Sequence, residues 1–337
     1  MLRPILTRLY FLALLSCTLL VLTPCRSIRA QGPGHSQELT TQEGVALYNK
    51  GNFFEAIKVL EVVTKKHSDD AEAWYYLGLA YFKSGHIGNS PRAFEHALEL
   101  QPTSADANAK LSYGLILGNE RVKAAAAAQR AIELGDLSAE PHYALAEVKF
   151  RVLDYKAAIE EAEKALKIDS RFSAALVIKS LAHYNLKQTD EAVAALEQLL
   201  MLNSADLDAE VWRNQIKQMS SGVFVSRSAN DSPDMTGKDP NRPMTGKEVT
   251  TKVHVTSKPE PQYTEEARRA GVVGTVALRA VFSSDGQVKN ILVREALGYG
   301  LTSAAVNAAK RIKFTPAQKD GSAVSMYIHL EYNFHLY

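Results

Sequence analysis

The sequence predicts a multidomain protein: an all-α solenoid of about five helix pairs, followed by a small α+β domain. Two patterns support this fold class. From Gln37 onward small and apolar residues recur every 34 positions, which is typical of stacked helical repeats. In the C-terminal part apolar and polar residues alternate with a period of two, which is typical of half-buried strands. A chain of 337 residues is long enough to bury a core in each module.

The N-terminus has the composition of a signal peptide. Residues 1–30 contain four arginines, no acidic residue and an apolar run that is shorter than the roughly 20 residues of a membrane span. We expect residues 1–30 to be removed, so that the mature chain begins near Ile28 or Gln31. An uncleaved inner-membrane anchor over residues 9–23 is the alternative.

Composition excludes several classes of function. Both cysteines, Cys17 and Cys25, lie in the N-terminal segment, so the processed chain has no disulfide and no thiolate site. Removal of the four arginines changes the formal charge from +2 to −2, which lacks the basic footprint of a nucleic-acid-binding protein. The nine histidines are scattered, and no nucleophile motif is present. The sequence therefore predicts no enzyme, no catalytic residue, no metal site and no cofactor.

The repeats share one position that is always small and one copy that is especially regular. The small residues are Ala56, Ser90, Ala124, Ala158 and Ala192. The second copy contains Trp74, Leu77, Gly78, Tyr81, Gly85, Phe94, Ala97 and Pro102. Together they resemble the tetratricopeptide repeat. The resemblance implies a curved solenoid over residues 37–219, in which residues 207–219 form the capping helix.

An aromatic stripe is expected on the concave surface of this solenoid. In the proteins that it resembles, the first helix of each pair lines that surface and binds protein segments. The predicted groove residues are Tyr48, Tyr75, Phe82, Tyr113, Tyr143, Phe150 and Tyr184. We expect them to bind a peptide segment with apolar or aromatic anchor residues. The alternative for each ring is packing between repeats.

A polar stretch separates the two modules. Residues 220–248 are rich in Ser, Asp, Gly, Pro and Lys, and they contain the tetrapeptide Met-Thr-Gly-Lys twice, at Met235 and Met244. This composition predicts a flexible linker.

The C-terminal domain, residues 249–337, shows a regular order of elements. A short helix at 265–270 is followed by a hairpin of two strands, 276–282 and 288–295, with a turn at Asp285-Gly286. A second helix, 301–312, carries an apolar stripe that covers the sheet. The final strand extends from 324 to 334, and one of its faces is apolar.

Three motifs accompany these elements: Pro261 with Tyr263, the run Gly-x-x-Gly-Thr-Val that begins at Gly271, and Lys-Phe-Thr-Pro-Ala from Lys313. Together they resemble the C-terminal domain of the TonB family. Thr264 departs from the family, which usually has proline after this tyrosine. The resemblance implies a periplasmic module of a Gram-negative-type bacterium, which binds the TonB box of an outer-membrane receptor by strand pairing.

The final strand is the expected docking edge. Its candidate partner-binding residues, to which Tyr263 is added, are Ser325, Tyr327, His329, Glu331 and Asn333. An exposed strand edge can continue its ladder with an extended partner. The expected partners are a TonB-dependent receptor and the inner-membrane motor proteins of that system. In the alternative, the strand is central in its own sheet or closes a homodimer.

Two functions compete. One is an energy transducer of TonB-dependent transmembrane transport; the other is a passive scaffold of an envelope complex. Transducers of the family that this chain resembles usually have a Ser-x-x-x-His arrangement in their membrane anchor. Here Ser16 is followed four residues later by Leu20, and no histidine precedes His35. This departure favours the scaffold for a chain that acts alone.

Overall fold

The structure is a computed structural model that describes residues 38–221 and 242–336. The predicted signal peptide and the first Met-Thr-Gly-Lys copy lie outside the described residues. The described residues from Leu39 onward belong to one compact unit, which contains both modules. Of the helices in the described ranges, none is long and apolar enough to span a membrane.

Five helix pairs and a closing helix form the solenoid in the described part of the chain, as predicted. The first helices of the pairs are α1 (Thr41–Asn49), α3 (Ala71–Lys83), α5 (Ala105–Leu117), α7 (Glu140–Arg151) and α9 (Ser173–Asn185). The second helices are α2 (Phe53–Lys66), α4 (Ser90–Leu100), α6 (Arg121–Glu133), α8 (Tyr155–Ile168) and α10 (Thr189–Leu202). The closing helix is α11 (Ala209–Ser220), and a 3-10 turn, Ile87–Asn89, precedes α4.

The 34-residue register has a direct structural meaning. All five small residues of the shared position, from Ala56 to Ala192, are completely buried where neighbouring helices touch. Helix starts are fixed by capping side chains: the hydroxyl of Ser104, for example, accepts a hydrogen bond of 3.2 Å from the Ala107 N–H. The buried shared position and the capped helix starts thus support the same arrangement of helix pairs along the solenoid.

A left-handed residue closes the turn inside each pair. The five equivalent residues are Gly51, Gly85, Asn119, Leu153 and Lys187, with φ between 62° and 81°. Asn119, Leu153 and Lys187 make the repeats look degenerate in sequence. Their backbone nevertheless adopts the conformation that favours glycine, because the packed helices on either side determine the turn.

The C-terminal module contains two helices and seven strands among its described residues. They are β1 (His254–Ser257), α12 (Glu265–Ala270), β2 (Gly274–Phe282), β3 (Val288–Glu295), α13 (Leu301–Lys310), β4 (Lys313–Thr315), β5 (Ala317–Lys319), β6 (Ser322–Val324) and β7 (Met326–Phe334). The main sheet is antiparallel with the order β3-β2-β7, while β1 pairs with β4 and β5 with β6. The predicted order of helix, strand, strand, helix, strand is confirmed.

The last strand is shorter than predicted. Val324 belongs to β6, where it pairs with Ala317 of β5, and β7 begins only at Met326. The reason is an additional tight turn, in which Asp320 and Gly321 both have positive φ and close the β5-β6 hairpin. Ser325 therefore lies between two strands.

The C-terminal module packs against one repeated position of the solenoid. Leu117, Arg151 and Asn185 end three successive first helices and are 34 residues apart. The Leu117 carbonyl accepts a hydrogen bond of 2.8 Å from the Val273 N–H. Arg151 forms an ion pair with Glu295. The Asn185 side-chain oxygen accepts a hydrogen bond from Arg294. Side chains of both modules share one core.

Two glycines allow the modules to approach closely. A Cβ atom added to Gly88 would lie 2.7 Å from the Gly271 Cα, and one added to Gly271 would lie 2.5 Å from the Gly88 Cα. Gly271 also ends α12 in the left-handed conformation, with φ of 67°. Glycine at both positions therefore permits backbone contact between the solenoid and the module.

Candidate partner-binding site

The predicted docking strand has one buried and one accessible face. Met326, Leu330, Tyr332 and Phe334 are buried, with 7% exposure or less. The intervening side chains of His329, Glu331 and Asn333 are exposed. This is the alternation expected of a strand that packs on a core through one face.

The two edges of the main sheet differ. Helix α11 packs against β3, and the amide of its Gln215 donates to the Val293 carbonyl at 3.0 Å and accepts from the Val293 N–H at 2.9 Å. Gln215 is 1% exposed, and its two hydrogen bonds replace those of a neighbouring strand. β7 pairs with β2 along its whole length, so its other side is the outer edge of the described sheet.

The start of this outer edge is occupied by the chain itself. Met244 donates from its N–H to the Ser325 carbonyl at 2.8 Å, and its carbonyl accepts from the Tyr327 N–H at 3.0 Å. An ion pair between Arg242 and Glu248 closes the turn around Met244. A hydrogen bond from Arg242 lowers the pKa of Glu248 to about 2, so the pair is charged at neutral pH. The described end of the predicted linker is thus folded onto β7.

The remainder of the edge is accessible. Because the N–H groups of alternate strand residues point to the same side, those of His329, Glu331 and Asn333 point outward like that of Tyr327. Lys258 donates to the Glu331 carbonyl at 2.9 Å, and its Nζ lies 4.7 Å from the centre of the Tyr332 ring. Within the described ranges, the outward N–H groups of these three residues have no hydrogen-bond acceptor.

Two arginines of the sheet, Arg279 of β2 and Arg294 of β3, influence His329 at this edge. Arg279 of β2 pairs directly with His329, and its guanidinium lies 4.3 Å from the centre of the Tyr327 ring. Burial lowers the pKa of His329, and the positive charges of Arg279 and Arg294 lower it further. His329 is therefore neutral at neutral pH and offers one donor and one acceptor on its ring.

Tyr263 lies at the far end of β7. Its hydroxyl donates to the Val272 carbonyl, and its ring contacts that of Phe334 edge-on, with 5.6 Å between the ring centres. Thr264 replaces the proline of the related family with a helix cap: its hydroxyl accepts from the Ala267 N–H at 3.2 Å and donates to the Tyr299 carbonyl at 2.7 Å. The structure thus places Tyr263 where it supports the strand end.

The second half of the predicted groove lies against the C-terminal module. Burial raises the pKa of Tyr113 well above its usual range, and Tyr299 of that module contributes to the shift. The guanidinium of Arg294 lies 5.6 Å from the centre of the Tyr184 ring. Phe82 packs against Tyr113 at 5.7 Å between ring centres.

Of the other predicted groove residues, Tyr48, Tyr75 and Phe150 pack within the solenoid, and Tyr143 also faces the C-terminal module. Tyr143 and Phe150 are 7% and 3% exposed, respectively. Tyr75 donates from its hydroxyl to Asp106 at 2.8 Å. Tyr48 contacts Tyr76 edge-on, with 5.5 Å between ring centres. The seven rings therefore do not form one continuous open surface.

Three residues of the site have no signal in the sequence. Gln215, Met244 and Asp208 form their hydrogen bonds only because the fold brings them close to atoms that are distant along the chain. Asp208 accepts hydrogen bonds from the N–H groups of Gly300 at 3.2 Å and Ser303 at 2.7 Å, and so caps α13 of the other module. Across the described ranges, no group of three or more His, Cys, Asp or Glu side chains is arranged to hold a metal ion.

Comparison with known proteins identifies both modules. Residues 259–336 match the family described as Gram-negative bacterial TonB protein C-terminal. Residues 41–105 and 143–208 match the tetratricopeptide repeat. The chain therefore combines tetratricopeptide repeats with a TonB C-terminal domain, which are both protein-interaction modules without catalytic function. No curated protein matches the chain at a significant level.

Solved structures of repeat proteins resemble the chain over about half its length. MamA is 28% identical, with 50% of this chain and 90% of that chain covered and a TM-score of 0.40. PilW, a type IV pilus biogenesis factor, is 14% identical, with coverage of 54% and 84% and a TM-score of 0.45. YrrB, described as a tetratricopeptide protein with an unusual peptide-binding site, is 16% identical, with coverage of 51% and 89% and a TM-score of 0.42.

Proposed function

We propose that this chain, which combines tetratricopeptide repeats with a TonB C-terminal domain, binds an extended segment of an outer-membrane receptor along the outer edge of β7. The segment would add a fourth strand beside β7. In this role the protein serves TonB-dependent transport across the bacterial envelope, and the periplasm is its place of action. The solenoid contributes further protein-binding surface and holds the C-terminal module.

The observation that carries the proposal is the difference between the two sheet edges. Gln215 occupies both backbone groups of Val293 on the edge of β3, whereas β7 presents the outward N–H groups of His329, Glu331 and Asn333. An extended chain that pairs with these groups gains backbone hydrogen bonds, and its alternate side chains supply selectivity. From His329 to Asn333 the edge is about 13 Å long, which suits a segment of about five residues.

The short accessible length suggests how the segment is positioned. Met244 already forms hydrogen bonds with the Ser325 carbonyl and the Tyr327 N–H, and Lys258 donates to the Glu331 carbonyl. A segment that binds without displacing them pairs at the remaining outward groups. The chain's own contacts therefore restrict the register of the incoming strand.

The proposal is tested with two variants, one proline and one alanine, at each of two positions of the edge. The N-terminal periplasmic segments of the source organism's outer-membrane receptors are first screened as peptides against the intact protein. His329→Pro and Glu331→Pro each remove one outward N–H, while β7 keeps its pairing with β2. We expect each proline to weaken binding of the selected peptide by at least tenfold, measured by titration calorimetry, since one ladder hydrogen bond and its neighbours are lost.

The matched controls are His329→Ala and Glu331→Ala. They remove the same side chains but retain the N–H groups, so they separate ladder pairing from side-chain contacts. Strand addition at this edge is refuted if the proline variants remain folded and bind as tightly as the alanine variants.

A separate experiment addresses transport. Purification of the full-length protein from envelope extract, followed by mass spectrometry, reports whether receptors and the motor proteins of the TonB system accompany it. Recovery of both supports a role in energy transduction. Recovery of neither, with another envelope complex present instead, supports the passive scaffold.

A further inference from the structure

A cavity of about 550 Å³ lies between the solenoid and the C-terminal module. Its walls on the solenoid side include Tyr113, Tyr143 and Phe172, and those on the module side include Leu297 and Tyr299. The volume is within the range of pockets that bind small ligands or side chains. The cavity is therefore the remaining open part of the predicted groove, bounded by the chain's own second module.

The cavity has an aromatic wall with a fixed arrangement. The ring centres of Tyr113 and Tyr143 are 5.7 Å apart, and those of Tyr143 and Phe172 are 5.2 Å apart. Tyr113 and Phe172 meet edge-on at 89°. Tyr299 of the other module lines the cavity together with this wall. Aromatic faces of this kind attract apolar groups and cations.

The charges along the cavity are mostly negative. The acidic residues that line it are Glu147, Asp169, Asp206, Asp208 and Glu266, and the basic residue among its lining is Arg171. Two of the acids are paired outside the cavity: Glu147 with Arg151 at 2.6 Å, and Glu266 with Arg269 at 3.8 Å.

The other three acids accept hydrogen bonds from backbone N–H groups. Asp169 accepts from the N–H of Arg171 at 2.9 Å, and Asp206 accepts from the N–H of Asp208 at 2.7 Å. Asp208 caps α13. Hydrogen bonds from neutral backbone N–H groups do not cancel the charge of a carboxylate. The three negative charges of Asp169, Asp206 and Asp208 therefore outnumber the one positive charge of Arg171.

The mouth of the cavity is polar. Asp169, Arg171 and Asn203 are exposed beside the turns that precede α9 and follow α10, and Ser173 lies next to them. These groups can hydrogen bond to a peptide backbone that crosses the mouth, while the interior accepts a side chain. A peptide segment therefore fits the opening better than a free small amine does.

We propose that this cavity binds an apolar or aromatic side chain of a partner protein, with a lysine or arginine next to it that contacts the acidic mouth. The proposal rests on the protein-binding role proposed above for the solenoid and names the chemistry of that partner. Because both modules line the cavity, the bound segment also strengthens their docking.

The test uses three acetylated, amidated pentapeptides with the full-length protein: Ser-Lys-Phe-Lys-Ser, Ser-Glu-Phe-Glu-Ser and Ser-Ser-Phe-Ser-Ser. Binding is measured by NMR titration at low salt. We expect the lysine peptide to bind about tenfold more tightly than the serine peptide, and the glutamate peptide more weakly than both, because each exposed ion pair contributes up to about 1 kcal/mol.

Variants locate the site. Asp169→Asn combined with Asp206→Asn should weaken binding of the lysine peptide about tenfold, since both residues retain an acceptor oxygen but lose their charge. Asp190→Asn, the same change at an exposed acid of α10 outside the cavity, should leave binding unchanged. Val177→Phe and Leu297→Phe fill the cavity from opposite modules, and each should abolish binding in a folded protein.

Several outcomes would overturn the proposal. They are equal binding of the three peptides, undiminished binding to the double asparagine variant, and no binding of the lysine peptide at millimolar concentration. The result is independent of the strand edge, because Glu331→Pro should leave binding of the lysine peptide intact. If the strand-edge experiments fail while the lysine peptide binds as expected, the cavity stands alone as a protein-binding site.

Discussion

At the scale of single residues, the boundary between the modules depends on buried polar side chains that serve atoms of the other module. Asp208 is 2% exposed, and both its oxygens accept hydrogen bonds from N–H groups at the start of α13. Burial nevertheless raises the pKa of Asp208 to about 6. The cost of removing the carboxylate from water therefore exceeds the benefit of its hydrogen bonds.

A dependence of stability on pH follows from Asp208. Because its pKa is higher in the folded protein than in the unfolded chain, the folded state binds more protons between about pH 4 and pH 6. The contribution of Asp208 to the free energy of unfolding is thus fully present below about pH 4 and is lost as the pH rises through about 6. The difference in unfolding free energy between the natural protein and Asp208→Asn, measured with denaturant, should be larger at pH 4 than at pH 7 by roughly 2–3 kcal/mol.

The control for this measurement is Asp154→Asn. Asp154 also caps a helix, by accepting from the Ala157 N–H at 3.3 Å, but it is exposed. Its variant reports the loss of a solvated cap. A difference for Asp208→Asn that stays constant from pH 4 to pH 7 would contradict the assignment.

At the scale of elements, the outer edge of β7 is shared between the chain and its proposed partner. The segment around Met244 pairs parallel to β7 at Met326 and is held by the ion pair of Arg242 with Glu248. A short added strand of this kind protects the end of an exposed edge from pairing with other chains. It also competes with any partner strand that is long enough to reach Tyr327.

Substitution of Met244 by proline tests this competition. Proline removes the N–H that bonds to the Ser325 carbonyl, so the segment should leave the edge. We expect the Tyr327 amide to exchange its hydrogen at least fivefold faster, because its acceptor, the Met244 carbonyl, moves away. Met244→Leu retains the N–H and should leave exchange unchanged. A Tyr327 amide that remains protected in the proline variant would show that another group covers the edge.

At the scale of the whole molecule, the repeats provide a periodic support for the C-terminal module. Successive repeats present Leu117, Arg151 and Asn185 at the same position, and each contacts a different part of the module. Since the solenoid repeats its backbone but not its side chains, one curved surface offers a carbonyl, a cation and an amide in a row. The module is consequently held in one orientation, with β3 covered and β7 accessible.

The contact of Gly88 with Gly271 gives a sharp test of this docking. Gly88→Ala places a methyl group 2.7 Å from the Gly271 Cα, so the backbones must separate. We expect docking to weaken by roughly 1–3 kcal/mol, as is common for overpacked contacts. The Val273 amide, which donates to the Leu117 carbonyl across the boundary, should therefore exchange its hydrogen faster in this variant.

Gly118→Ala is the matched control. A Cβ atom at Gly118 would lie 3.6 Å from the nearest atom, the Gly114 carbonyl oxygen, which is ordinary contact. Its effect on the exchange of Val273 should be small. Equal protection of Val273 in both variants would mean that the modules do not depend on this contact.

Much of the architecture was predictable from local patterns. The positions from Ala56 to Ala192 recur every 34 residues because each repeat must bury the same surface, so period and helix pairs follow from sequence alone. The alternation from Met326 to Phe334 likewise reports one buried face. The β5-β6 hairpin was also predictable in principle, because Asp320-Gly321 is the same Asp-Gly turn signal as Asp285-Gly286, and both of its residues have positive φ.

The sequence by itself determined the two modules, their classes and the strand on which partner binding is proposed, because each depends on a periodic pattern within a short stretch. Only the tertiary structure decided how they combine. Gln215 and Val293 are 78 residues apart, and Arg151 and Glu295 are 144 apart. Such contacts depend on the path of the whole backbone and leave no periodic trace in the chain. For that reason the covered edge of β3, the occupied groove and the cavity between the modules appear only in the folded protein.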